Sequence, residues 1–188
     1  MTTMQLAVMI IVAIAVIGLV LLLILQKRTK TLRARFGPEY DRAVAETGNR
    51  FKAEAKLESV EKRVKSYSLT ALSAADRDRF QQSWRKIQSE FVDDPSRALS
   101  EADKLLGAVM LACGYPASDF ENRAAEISVE HATVVENYRA GHDIAVLHSQ
   151  RQATTEDLRK GMIHYRALFD ELMAEEQGPL RARAVGHT

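Results

Sequence analysis

The densest run of chemistry-bearing side chains is His131-Ala-Thr-Val-Val-Glu-Asn-Tyr138-Arg139-Ala-Gly-His142. Histidine changes charge near neutral pH, and a phenol and a guanidinium beside it supply a hydrogen-bond donor and a fixed cation. At about 100° per residue, His131, Tyr138 and His142 share one helical stripe with Val134 and Val135. Polar groups on a buried stripe must find partners. They therefore build a satisfied polar core, or they line a small-molecule pocket to which Tyr165 of a later helix is a further candidate. Arg139, about 100° from Tyr138 on the wheel, reaches only the rim.

A metal shared by the two histidines is excluded on reach, since 11 residues of helix set them about 16 Å apart. No His-x-x-x-His or Glu-x-x-His spacing occurs in the chain. The single cysteine, Cys113, falls at a helix end whose dipole disfavours a thiolate, so it reads as a small core residue. Trp84 shares a stripe with Phe80, Ile87 and Phe91, which favours core over an exposed anchor. Asp170, Glu171, Glu175 and Glu176 read as a solvated helix end. The nine glycines nowhere take phosphate-loop spacing. The expectation is no catalytic residue, no metal and no cofactor.

The elements that must position these residues begin with an uninterrupted apolar stretch, LAVMIIVAIAVIGLVLLLIL at 6–25. At about 1.5 Å per residue it spans about 30 Å, the hydrocarbon thickness of a bilayer. The leader MTTMQ carries no basic side chain and QKRTK follows the run, which favours an uncleaved anchor over a cleaved signal peptide. Lys27, Arg28, Lys30, Arg33 and Arg35 follow with no acid among them. This asymmetry predicts an N-terminus outside and a cytoplasmic C-terminal domain, with the opposite orientation as the alternative.

Of the 188 residues, 26 are Lys or Arg and 25 Asp or Glu, but the charge is graded: net +6 over 26–65, −2 over 66–120 and −3 over 121–188. Juxtamembrane cations gain on the order of 1 kcal/mol each near anionic lipid. Lipid contact by those five residues therefore accounts for the basic third, and no nucleic acid is expected as a partner.

Gly37-Pro38 ends the helix leaving the membrane, and Pro38 opens the next. The composition predicts helix from Glu39 to Tyr67, with Ala53, Leu57, Val60, Val64, Tyr67 and Ala71 as a narrow stripe. Glu58–Lys62 and Glu61–Lys65 pair along its polar flank. The stripe packs on its own domain or pairs weakly with a second copy. Ser73 and Asp94-Pro95 then mark helix starts, and Gly114 a stop. Ser118 starts a run through Ile127 to Ala145 that can break near Ser128. Thr154 and Asp157 resemble a capping box ahead of Leu158, Met162, Tyr165, Phe169 and Leu172, and Gly178-Pro179 closes the last helix.

The fold expected is all-α: a single N-terminal transmembrane helix, a helical stalk and a small antiparallel helical bundle. Its parts are an anchor (1–26), a basic juxtamembrane region with stalk helix (27–72), a bundle domain (73–176) and a flexible tail (177–188).

Four stretches together carry a resemblance: RFGPEYDRAV (35–44), FVDDP (91–95), GYPASDFENRAAEISVEHATVVENYRAGH (114–142) and TTEDLRKGMIHYRALFDEL (154–172). Over about residues 33–173 the chain resembles an uncharacterised family of short bacterial membrane-anchored helical proteins, some labelled secreted. The resemblance implies a bacterial, membrane-associated protein and brings no mechanism or site residue. The functional expectation is a membrane-tethered interaction or scaffold module whose partners are the bilayer and another protein. The alternative is a small-molecule binding or enzymatic domain around His131, Tyr138 and His142.

Overall fold

The structure, a computed structural model, describes residues 3–174. These form eight helices and no strand: α1 (Thr3–Phe36), α2 (Pro38–Thr47), α3 (Arg50–Ser66), α4 (Ala74–Glu90), α5 (Pro95–Ala112), α6 (Phe120–Ile127), α7 (Val135–Ser149) and α8 (Thr155–Ala174). The all-α architecture read from the sequence is the one observed. The expected stop at Gly178-Pro179 and the tail at 177–188 lie outside the described residues.

Among the described residues one helix is long and apolar enough to cross a membrane. Within α1, Val12–Phe36 has 25 residues at a mean hydropathy of 2.0, and its apolar window is unburied by the rest of the protein. A signal sequence has the same length and apolarity. Beyond the apolar stretch α1 continues through the basic residues to Phe36. Gly37, at φ +53°, and Pro38 in the first turn of α2 then break it, as their chemistry requires.

The helix expected over 39–67 is instead two helices. Gly48 takes a left-handed φ of +60° and donates its N–H to the Val44 carbonyl at 3.0 Å, ending α2 in the manner of a glycine C-cap. Asn49 Oδ1 accepts the N–H groups of Phe51 and Lys52 and so opens α3 as an N-cap. The chain forms two compact units whose boundary falls within α3, one up to Glu58 and one from Ser59. In the first, Leu32 and Phe36 of α1, Tyr40 and Ala43 of α2, and Ala53 and Leu57 of α3 are buried. Val60 and Val64 are buried in the second. The expected stripe is therefore packed within the chain, while Tyr67 and Ala71 follow the end of α3.

The second unit holds α4 to α8. Its caps are those the sequence signals: Ser73 accepts from the Asp76 N–H at 3.1 Å and Asp94 from the Arg97 N–H at 2.9 Å. Thr154 and Asp157 exchange backbone-to-side-chain bonds of 3.0 and 3.2 Å. The α6 cap is Asp119, accepting from Asn122 at 3.0 Å, rather than Ser118. α5 packs on α4 and α8, and α7 pairs with α8. Their shared core includes Trp84, Leu99, Leu106, Met110, Ile127, Tyr138, Tyr165, Leu168 and Leu172. α5 closes at Gly114, at φ +94°, where a Cβ would lie 2.6 Å from the Ser68 carbonyl oxygen. Only glycine fits there.

Between α6 and α7 the chain leaves helix over 128–134. The Ser128 hydroxyl bonds back to the Ala125 carbonyl at 2.6 Å, and Val129 and Glu130 make i→i+3 bonds, which tighten and end the turn.

Candidate functional site

That break corrects the stripe drawn through the two histidines. His131 sits in the turn before α7 and is buried, with Nδ1 3.5 Å from Glu171 Oε1 of α8. Tyr138 and His142 do share a face of α7. His142 stacks on the Phe120 ring with centroids 3.5 Å apart, and Tyr138 tilts against the same ring at 4.9 Å. Tyr165 of α8 approaches Tyr138 at 6.2 Å. Tyr138 and His142 thus meet on Phe120, Tyr165 joins them through Tyr138, and no ring contact brings His131 into this group. Arg139 also differs from expectation. It is buried rather than at a rim, bonds Glu121 at 2.9 Å and lies over the Phe120 ring at 5.5 Å. The reason is that α6 folds back on α7 and supplies both a carboxylate and an aromatic face for the guanidinium.

The polar heart of this cluster comes from four helices. Tyr138 Oη (α7), Tyr165 Oη (α8), Asp103 Oδ1 (α5) and Arg123 Nε (α6) are all inaccessible; the Asp103 carboxylate lies beside the Tyr165 phenol as its nearest acceptor, and none of the four atoms has a hydrogen-bond partner of good geometry among the described residues. Burial pushes both phenols well above their usual pKa; the Asp103 carboxylate adds to this and Arg123 opposes it. The phenols are neutral across the physiological range, able to donate or accept a hydrogen bond. Two glycines permit the close approach. A Cβ at Gly107 would lie 2.9 Å from Arg123 Nη1, and one at Gly141 would lie 2.5 Å from the Tyr165 ring. Nothing in the spacing of Asp103, Phe120 or Arg123 sets them apart in the sequence. The available signal was a glycine inside an otherwise strong helix, which marks a close neighbour without naming it.

A second feature is open to solvent. α4 and α8 run antiparallel, and between them lie two adjoining hollows of about 340 and about 210 Å³. Gln88 and Arg166 line both, so the two form one groove. Trp84 and Phe169 form its floor, their rings stacked at 4.7 Å. Met173 lies at one end, and Met162, Phe91 and half-exposed Ile163 at the other. Trp84 is therefore core, as expected, and also the base of the groove. Cys113 is buried at the end of α5.

The basic residues after the apolar stretch divide. Arg28 pairs with Glu58 at 2.5 Å and lies 3.8 Å from Glu54. Glu58 is thus engaged by Arg28 rather than placed as the expected partner of Lys62, whereas Glu61–Lys65 is formed at 2.5 Å. Arg33 forks onto Asp41 at 2.8 and 2.9 Å. Among the described residues Lys27 and Lys30 carry no such pair, and Arg35 is half-buried. Glu54, buried on α3, accepts from Thr29 at 2.7 Å and from Tyr40 and Arg50 at 3.0 Å each. Burial alone would raise its pKa, but these donors outweigh it and hold the carboxyl below the usual range. Among the described residues no three His, Cys, Asp or Glu side chains converge as a metal set. No protein-family model, curated protein or solved structure matches the chain.

Proposed function

We propose that the chain is a membrane-tethered helical interaction module. In this reading α1 stays as a single-pass anchor in a bacterial cell membrane, with the N-terminus outside. The helical domain works on the cytoplasmic side by holding another protein. Lys27, Arg28, Lys30, Arg33 and Arg35 support the orientation, with Lys27 and Lys30 the lipid-facing pair because Arg28 and Arg33 engage acids of their own chain. The observation that carries the reading is the α4/α8 groove, an apolar-floored, open surface of the kind partner helices occupy.

The test is a photo-cross-linking amino acid placed at Ile163 in the groove, and separately at exposed Glu136 on α7, in native membranes. An adduct of defined mass from either position supports a partner-binding module. No adduct from either position contradicts it.

A second reading is favoured by the buried polar cluster of Asp103, Arg123, Tyr138 and Tyr165, in which Tyr138 Oη and Arg123 Nε meet no partner among the described residues: a small polar molecule held inside the bundle. Thermal-shift screening of the full chain against metabolites tests it. A hit abolished by Tyr165→Phe in a protein that still folds supports it, and a uniformly flat panel contradicts it.

A further inference from the structure

We infer that the α4/α8 groove receives an acidic amphipathic helix of another protein, seated along α8 with its carboxylates on the groove's arginines. This rests on the interaction-module reading and names the partner's chemistry.

Three observations converge on that occupant. The first is shape. The lining residues recur at three- and four-residue spacing on both helices, Gln81 to Phe91 on α4 and Arg159 to Ala174 on α8. The concavity thus runs from Arg159 to Ala174 of α8, or about 22 Å. A trough of that form fits a rod of about four helical turns better than a flat bilayer. The second is the floor. Trp84, Phe169, Met162 and Met173 offer rigid aromatic area beside adaptable thioethers, a composition that accepts an apolar helix stripe. The Trp84 indole N–H, 4% exposed as a residue, meets no acceptor among the described residues.

The third is charge. Arg85, Arg159 and Arg166 line the groove against one acid, Asp170. Arg159 and Arg166 hold only carboxylates of their own helix, Glu156 and Asp170, at i−3 and i+4. Such exposed pairs are weak and are readily exchanged for an incoming carboxylate. Arg85 forms no ion pair among the described residues. The chain's own C-terminal segment, 175–188, is a poor occupant by composition. Its two acids, Glu175 and Glu176, are offset by Arg181 and Arg183, and Leu180 and Val185 are its only large aliphatic residues, too few for an apolar stripe along the groove.

The chain has a single tryptophan, so its emission reports on the groove directly. The experiment uses the full chain in phosphatidylcholine nanodiscs. Two synthetic helices of about 15 residues carry one leucine stripe, flanked by glutamate in one and by lysine in the other. The expected result is a Trp84 emission change that saturates with the glutamate helix, with binding at least about tenfold tighter than for the lysine helix. In the doubly substituted Arg85→Glu, Arg166→Glu protein the preference reverses. Both substitutions are at exposed positions, and circular dichroism checks that helix content is kept.

Equal binding of both helices, or no binding of either, overturns the inference. So does an emission change produced by phosphatidylglycerol vesicles and not by the peptides, which makes the surface a lipid contact. Binding that appears only after residues 175–188 are deleted makes the chain's own tail the occupant, and also overturns it. Cross-linking from Glu136 on α7 separates the two levels: an adduct there with no peptide binding in the groove retires the groove assignment and leaves the module reading standing.

Discussion

Removing the Glu54 carboxylate should loosen the start of α3 from the basic end of α1. In Glu54→Ala, the Thr29, Tyr40 and Arg50 donors lose their common acceptor. Tyr40 is buried, and an orphaned buried hydroxyl costs about 1–3 kcal/mol. Arg50 is half in solvent, so its exposed ion pair adds only about 0.3–0.5 kcal/mol. Thr29 keeps the Leu25 carbonyl at 3.0 Å as an acceptor for its hydroxyl and adds little. The expected loss is about 1.3–3.5 kcal/mol, or about 10- to 400-fold in the local opening equilibrium. Hydrogen exchange of residues 50–58 in nanodiscs, expressed as protection factors, reads it directly. Glu54→Gln keeps the shape and an acceptor and should lose about half as much.

The sign with pH follows from the lowered carboxyl pKa. The contribution is complete above the unfolded value of about 4.3 and is lost as pH falls through the lower folded value. Protection in this segment therefore declines on acidification in the parent chain and stays flat in Glu54→Gln. Unchanged protection in Glu54→Ala would refute the view that this carboxylate fastens the segment.

Two further predictions concern the second unit. Gly114→Ala combines a left-handed φ with a Cβ placed 2.6 Å from a backbone oxygen. It should cost at least about 2 kcal/mol and lower the midpoint of a circular-dichroism melt. A midpoint within error of the parent would mean that the α5 turn is more open than described. Tyr138→Phe and Tyr165→Phe each delete a buried hydroxyl that has no partner of good geometry among the described residues. If the cluster is purely core, each substitution is neutral or stabilising by up to about 1 kcal/mol in the same melt. Destabilisation by more than about 1 kcal/mol would instead show that the hydroxyls are bonded, and would favour the bound-molecule reading.

Local signals carried far in this chain, and long-range ones did not. Ser73, Asp94-Pro95 and Thr154 with Asp157 mark helix starts because a cap is decided within four residues, and each stands where its chemistry put it. Gly48-Asn49 carries the same kind of signal, yet the strong helix formers on both sides masked it. His131 leaves the stripe of Tyr138 and His142 because a seven-residue break separates it from α7. Its partner Glu171 is 40 residues away. Asp103 and Arg123 meet Tyr138 and Tyr165 only through the packing of four helices. The groove is less legible still, since it exists between α4 and α8, which reach it separately across α5. Periodicity showed which faces are apolar; which of them stays uncovered is a property of the assembled bundle.

The tethering claim is tested most directly by protease treatment of intact and lysed spheroplasts, followed through an epitope at the C-terminus. The account predicts protection until lysis, with a full-length, uncleaved chain in the membrane fraction. Digestion of the epitope in intact spheroplasts, or a chain shortened by its apolar segment, would contradict it.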